Sequence, residues 1–211
     1  MYKKYIKSAL DTALSTVGLL ILFIPFILVA LAIKLDSKGP VFFKQLRYGK
    51  HKKPFMVYKF RTMRTDAPAN IATNSFKNST NYITAVGKIL RKLSIDELPQ
   101  IFNVLNGDMS LVGPRPVVLS EHNLIALREG HGANAVKPGI TGWAQVNGRD
   151  ELDDIIKPRM VGQYVENFGL KTDIGCLFKT VWVILSAAGH NETQDNLDNI
   201  GNTELKGVSN D

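Results

Sequence analysis

The chain has 211 residues, of which 45% are hydrophobic and 21% charged, and carries a formal net charge of +7. That length supports one domain with its own core, and the composition excludes an intrinsically disordered chain. The positive balance points to anionic partners (nucleic acid, phospholipid or phosphorylated substrates), while a single cysteine, Cys176, excludes an internal disulfide framework and suits a reducing compartment.

From Thr12 to Ile33 no residue is charged. As a straight helix this run would be about 33 Å long at about 1.5 Å per residue, enough to cross a bilayer core of about 30 Å. Pro25 sits in its middle and removes one helical hydrogen bond, which predicts a kink there. Lys3, Lys4 and Lys7 precede the run and Lys34 and Lys38 follow it. Basic residues at both ends favour the cytoplasmic side for both. A re-entrant helix over residues 1–36, dipping into one leaflet and returning, satisfies these observations. A full span with the main domain still cytoplasmic stays open. A cleaved signal is disfavoured because the apolar run exceeds the usual about 7–15 residues. A helix buried in a soluble core is disfavoured because the run is apolar on all sides.

No acidic residue lies between Asp36 and Asp66, an interval with nine Lys and Arg residues interleaved with aromatic ones. Val41 to Gln45 and Phe55 to Phe60 are rich in β-formers around a "YGKHKKP" turn, which predicts a β-hairpin. A positive face beside anionic headgroups explains Lys50, Lys52 and Lys53. Lys59 and Arg61 alternate, so a strand would point both to one side, where they are candidates for binding a substrate phosphate. Residues 66–82 are polar and rich in Asn, Ser and Thr, and read as a surface loop.

The stretch "KLSIDELPQIFNVLNGDMSLVGPRP" sets two adjacent carboxylates, Asp96 and Glu97, ahead of an apolar helical pattern. Ser94 three residues before Glu97 fits a capping box, and carboxylates suit a helix N-terminus. Yet a start at Ser94 leaves Pro99 too deep in the helix, whereas a start at Asp96 keeps it in the tolerated first turn. Both starts remain open. "GDMSLVGPRP" reads as a loop in which two prolines hold Arg115, and "KPGITGWAQVNGR" is a second glycine-rich loop ending in Arg149. Arginine matches phosphate oxygens bidentately. An acidic pair, two arginines on loops and a basic hairpin suggest a metal-assisted phosphate site, because a carboxylate approaching a diphosphate needs cations to screen like charge.

Residues 151–167 mix charge with Ile155, Ile156, Met160 and Val165, a helical pattern. Residues 175–188 are apolar with Phe178 and Trp182, and fit either a core helix or an interfacial helix at headgroup level. Beyond Gly189 the polar tail predicts disorder. The four histidines show no metal-ligand spacing.

The blocks "GPVFFKQLRYGKHKKPFMVYKFRTM", "SIDELPQIFNVLNGDMSLVGPRP" and "KPGITGWAQVNGR" resemble, in order, the signature blocks of the bacterial sugar transferase family, the monotopic polyprenyl-phosphate phosphoglycosyl transferases. The resemblance runs from about residue 39 to 149, more weakly to about 187, with a matching amino-terminal helix. It implies an α+β fold in the small form: a membrane-inserted re-entrant helix (1–36), a catalytic domain (37–188) built of a small β-hairpin and amphipathic or interfacial helices, and a polar tail (189–211). It also implies a reaction. Asp96 would attack the sugar-linked phosphate of a UDP-sugar, releasing UMP and leaving a phosphosugar–aspartyl intermediate that polyprenyl (undecaprenyl) phosphate resolves. Glu97 would share Mg²⁺ with Asp96 or activate the acceptor. Lys59, Arg61, Arg115 and Arg149 would bind phosphate, and Pro25 would kink the membrane helix. The implied location is the cytoplasmic face of a bacterial inner membrane, with the bilayer, donor and acceptor as partners, no nucleic acid, and homo-oligomerisation open. Two departures stand out: Ile24 precedes Pro25 where the family has serine, and Asp154 and Val161 replace a family Trp and Asp, with Tyr164 kept. Competing readings are a non-catalytic basic module that binds membrane or anions, and a Mg²⁺-dependent phosphohydrolase.

Overall fold

A computed structural model describes residues 2–67, 79–148 and 156–186. Arg149, Asp154, most of the 66–82 segment and the tail lie outside the described residues.

The amino-terminal run forms one helix, α1 (Lys7–Asp36), continuous through Pro25. It is long and apolar enough to cross a membrane by length and composition. One stripe faces the protein: Lys7, Asp11, Ser15, Phe26 and Ile33 are buried, and Leu19, Leu22 and Val29 pack against the core. The opposite stripe, with Leu20, Ile21, Ile24, Leu28, Leu31 and Leu35, is exposed.

The hairpin is present. Strand β1 (Phe42–Tyr48) pairs antiparallel with β2 (Pro54–Phe60) from Phe42↔Phe60 to Tyr48↔Pro54. The first strand runs three residues past the expected Gln45, and its far end, at Arg47 and Tyr48, pairs with β2 on one side and β4 (Val117–Val118) on the other. A short pair of strands, β3 (Ser110–Val112) and β5 (Gly139–Thr141), runs parallel inside both stretches that read as loops. Three residues carry no periodicity, so nothing in the sequence marked them.

Helix α2 (Ala85–Lys92) is capped by Thr84, whose hydroxyl accepts from the Gly87 amide at 3.0 Å. The capping box at Ser94 does not form. Ser94 adopts a left-handed conformation (φ 55°) without a side-chain cap bond, and Ile95–Gln100 is a 3₁₀ turn that passes into α3 (Ile101–Leu105). Pro99 lies inside this turn and has no amide to donate. Helices α4 (His122–Gly130), α5 (Trp143–Gly148), α6 (Ile156–Glu166) and α7 (residues 170–186) follow.

The main core joins α1 to the hairpin: Phe26, Ile33, Phe60, Leu90 and Ile101 cluster, with the Phe26 and Phe60 rings edge-to-face at 5.1 Å. Helix α7 is two-faced. Asp173 and Cys176 are buried, whereas Leu170, Ile174, Phe178, Trp182 and Leu185 form an exposed apolar stripe. The buried face explains the core-helix expectation and the exposed face the interfacial one.

Candidate active site

The acidic pair is positioned by β2. That strand has a free edge, and the side chain of the fully buried Asn103 fills it, donating to the Met56 carbonyl at 2.7 Å and accepting from the Tyr58 amide at 3.0 Å. The amide thus stands in for a neighbouring strand and locks α3, with the turn before it, onto the hairpin. Lys59, next along β2, then reaches Glu97: its Nζ donates to Oε1 at 2.5 Å. Arg115 Nη1 approaches the same oxygen at 3.3 Å.

These contacts split the two carboxylates. Burial raises the pKa of Glu97, but Lys59 and Arg115 more than reverse this and bring it down to about 2. Asp96 goes the other way. Burial pushes it up, Glu97 adds to the push, and Lys59, Arg91 and Arg115 offset it only in part. Asp96 accepts no hydrogen bond among the described residues. Arg91, held by Thr62 Oγ1 at 2.8 Å, is lowered by burial and partly restored by Asp96.

Glycines let the second and third blocks meet. The Gly113 amide donates to the Thr141 carbonyl at 2.8 Å, and the Gly139 amide to the Pro114 carbonyl at 2.9 Å. A Cβ at Gly139 would lie 2.0 Å from the Gly113 nitrogen, so a side chain there would force the Arg115 loop away from the acidic pair.

A cavity of about 1100 Å³ opens over this constellation. Asp96, Glu97, Lys59, Arg91, Arg115 and Arg128 line its polar part, and Trp143, Val183 and Ile184 contribute apolar wall. It holds far more basic than acidic side chains, as a site for a polyanion requires.

The sequence-predicted residues divide. Asp96, Glu97, Lys59 and Arg115 come together. Arg61 also reaches the cavity wall, but it lies past the end of β2 and its Nη2 is committed to α1, donating to the carbonyls of Ile33 (3.3 Å) and Ser37 (2.6 Å) and to Ser37 Oγ (2.9 Å). Pro25 lies within α1, beside Phe26 of the core. Val161 is a buried apolar part of the cavity wall, and Tyr164 donates to the Val112 carbonyl at 3.0 Å and to Asp173 at 2.9 Å. Sequence reading missed Arg47, Arg91, Asn103 and Arg128. Arg91 alone had a local signal, standing five residues before Asp96 in a basic helix end.

No group of three or more metal-ligating side chains occurs among the described residues. Asp96 and Glu97 nevertheless fit Mg²⁺. That ion is commonly held by one or two carboxylates while substrate phosphates and waters complete its octahedron, and Glu97 Oε2 and both Asp96 oxygens are free of hydrogen bonds among the described residues.

The family model described as bacterial sugar transferase matches residues 2–187. The chain is 43% identical over 163 residues to an uncharacterized sugar transferase of Bacillus subtilis, covering 76% of this chain and 78% of that one. It is 42% identical over 186 residues to a UDP-glucose:undecaprenyl-phosphate glucose-1-phosphate transferase of Escherichia coli, covering 85% and 40%. A UDP-N-acetylgalactosamine-undecaprenyl-phosphate N-acetylgalactosaminephosphotransferase of Aeromonas hydrophila is 42% identical over 194 residues, covering 88% and 45%. The chain therefore spans less than half the length of the latter two.

Proposed function

The chain belongs to the bacterial sugar transferase family, and we propose that it moves a phosphosugar from a UDP-sugar to undecaprenyl phosphate, releasing UMP. The observation that carries this reading is the acidic pair at a cation-rich cavity, with Asp96 free of hydrogen bonds among the described residues and Glu97 held by Lys59 and Arg115. In the first step an Asp96 carboxylate oxygen bonds to the sugar-bearing phosphorus, and the bond from that phosphorus to the bridging oxygen breaks. UMP leaves with the bridging oxygen and its electron pair. In the second step an oxygen of the acceptor phosphate bonds to the same phosphorus, the acyl-phosphate bond breaks and the Asp96 carboxylate is regenerated. Lys59 and Arg115 stabilise phosphoryl charge, and their pairing with Glu97 keeps them in place. Asp96 and Glu97 would hold Mg²⁺, which supplies Lewis-acid polarisation of the phosphate oxygens when bound.

The same reading places the enzyme on the cytoplasmic face of the inner membrane, with α1 as a re-entrant helix. What supports one-sided insertion is that a single domain grips both ends of α1. At its start, Lys7 Nζ donates to Asp173 Oδ2 at 2.7 Å and Asp11 accepts from Ser110 Oγ at 2.7 Å. At its end, Arg61 holds the Ile33 and Ser37 carbonyls and Asp36 accepts from the Val86 amide at 3.0 Å. A crossing helix would put about 30 Å of hydrocarbon between these two sets of contacts. The exposed stripes of α1 and α7 are the surfaces that would meet lipid.

The test is UMP release from a panel of UDP-sugars, with and without undecaprenyl phosphate and Mg²⁺, for the protein and Asp96→Asn. Acceptor-stimulated, Mg²⁺-dependent UMP from one sugar, absent in the variant, is expected and identifies the donor. A fully active Asp96→Asn enzyme sinks the mechanism.

A further inference from the structure

Two arginines outside the signature assignments grip the Arg115 loop from behind. Arg128, on α4, is buried, and its Nη1 donates to the main-chain carbonyl of Arg115 at 2.6 Å. Arg47, on β1, donates from Nη1 to the carbonyl of the next residue, Pro116, at 2.9 Å. Its Nε and Nη2 are held by Gln45 Oε1 at 3.0 and 2.6 Å. Consecutive carbonyls are thus held from two elements, in a loop whose flanking prolines have no amide to offer.

Charge makes this arrangement more than a clamp. A neutral amide could donate to each carbonyl equally well. Instead, a half-buried guanidinium, Arg47, and a buried one, Arg128, both feel the charge of a third, Arg115. Burial is the main cause that lowers the pKa of Arg47 and of Arg128 to about 10 each, and the Arg115 charge contributes to both. Glu121 opposes this at both arginines, and Glu97 also does so at Arg47. The Nε of Arg128 is buried without a hydrogen-bond partner among the described residues. All three arginines line the cavity that holds Asp96. Crowding like charges at a loop costs free energy that an anion in the cavity would offset.

We propose that Arg47 and Arg128 are positioning residues that hold the Arg115 main chain, so that its guanidinium stays beside Glu97, and that the three arginines together form a site for a diphosphate. The identity of that diphosphate as the donor's rests on the transferase reading; the clamp itself does not.

The experiment is a double-mutant cycle on the full chain in lipid nanodiscs, reading inorganic pyrophosphate affinity by calorimetry and KM against kcat by UMP release. Arg128→Met weakens pyrophosphate about tenfold and raises KM more than it lowers kcat, a coupling of the size seen between side chains that act as a unit. In an Arg115→Ala background the same change costs less than about twofold. Equal losses in both backgrounds would mean that Arg128 only supports the fold, and would overturn the proposal. Arg47→Gln keeps a donor for Pro116 while removing the charge, so it tests the charge in a variant that disturbs packing less. Several-fold weaker pyrophosphate binding is expected, and unchanged affinity overturns the charge argument. The outcomes separate the two readings. Coupled pyrophosphate binding with no UMP release sinks the transferase alone, and UMP release without coupling sinks the clamp alone.

Discussion

Asn103 offers the most direct check on how the site is built. Replacing it with leucine keeps the volume roughly constant but leaves the Met56 carbonyl and the Tyr58 amide, both bonded to it at 3.0 Å or less, without partners on the edge of β2. A fully buried unsatisfied group costs about 1–3 kcal/mol, and both bonds are part-buried, so the loss is at most about 2–6 kcal/mol. Burying the leucine side chain returns about 1.5–3 kcal/mol. A net destabilisation of about 2 kcal/mol is the working figure, which lowers the melting temperature by about 4–8 °C in a chain of this size. Thermal unfolding in nanodiscs measures it, and amide hydrogen exchange locates it: the Tyr58 amide should exchange faster than in the parent protein. Activity should fall as well, because Lys59 follows Tyr58 on the strand and Glu97 precedes α3. A melting temperature within 1 °C of the parent, with unchanged Tyr58 exchange, would refute the view that an amide side chain completes the strand edge.

Other outcomes follow from the same structure. Cys176 has no exposed surface, and burial, then the nearby Asp173 charge, push its thiol up to about 11. The thiolate is therefore scarce at pH 8, and Ellman's reagent should label the protein only after unfolding; fast native labelling contradicts this placement. Lys7→Met leaves the buried Asp173 carboxylate without its cation, with the Tyr2 and Tyr164 hydroxyls as its side-chain donors among the described residues, and should cost about 3–5 kcal/mol in thermal unfolding. Adding Asp173→Asn should recover part of that loss. A Cβ at Gly113 would meet the Lys137 carbonyl oxygen at 2.4 Å, so Gly113→Ala should abolish transfer and lower stability, whereas Gly130→Ala, with nothing within 4 Å, should be neutral or stabilising by up to about 1 kcal/mol.

What could be read from the sequence was what neighbours in the chain decide. The hairpin follows from two β-rich runs around a basic turn, and α1 from a long apolar run. Ser94 shows where local reasoning fails: its spacing to Glu97 fits a capping box, yet it adopts φ 55° without a cap bond and leads into a 3₁₀ turn rather than an α-helix. β3 and β5 were hidden because their pairing depends on glycines that let two distant loops touch. Two partners of Asp173, Lys7 and Tyr2, lie more than 160 residues away, and no periodicity in α7 announces a buried carboxylate there. Lys59 could be read only as a candidate for binding phosphate, and its bond to Glu97, like the turn of Arg61 toward α1, depends on where β2 ends.

The two carboxylates adjoin in sequence but differ in chemistry, and the difference assigns their roles within the proposed reaction. Glu97 is locked through Oε1 by Lys59 and Arg115 and held far down the acid scale, so its basicity is low. Asp96 has no hydrogen bond among the described residues and is pushed toward higher basicity, which makes it the better nucleophile of the pair whenever it is ionised. The intact mass of the protein, after incubation with its UDP-sugar but no acceptor, distinguishes them. Asp96→Asn should carry no phosphosugar adduct. Glu97→Gln frees Lys59 and Arg115 from their anchor and should form the adduct about 10²-fold more slowly, the scale of removing one preorganised contact to a developing charge. An adduct on Asp96→Asn, or its complete loss in Glu97→Gln with Asp96 intact, would reverse the assignment and make Glu97 the nucleophile.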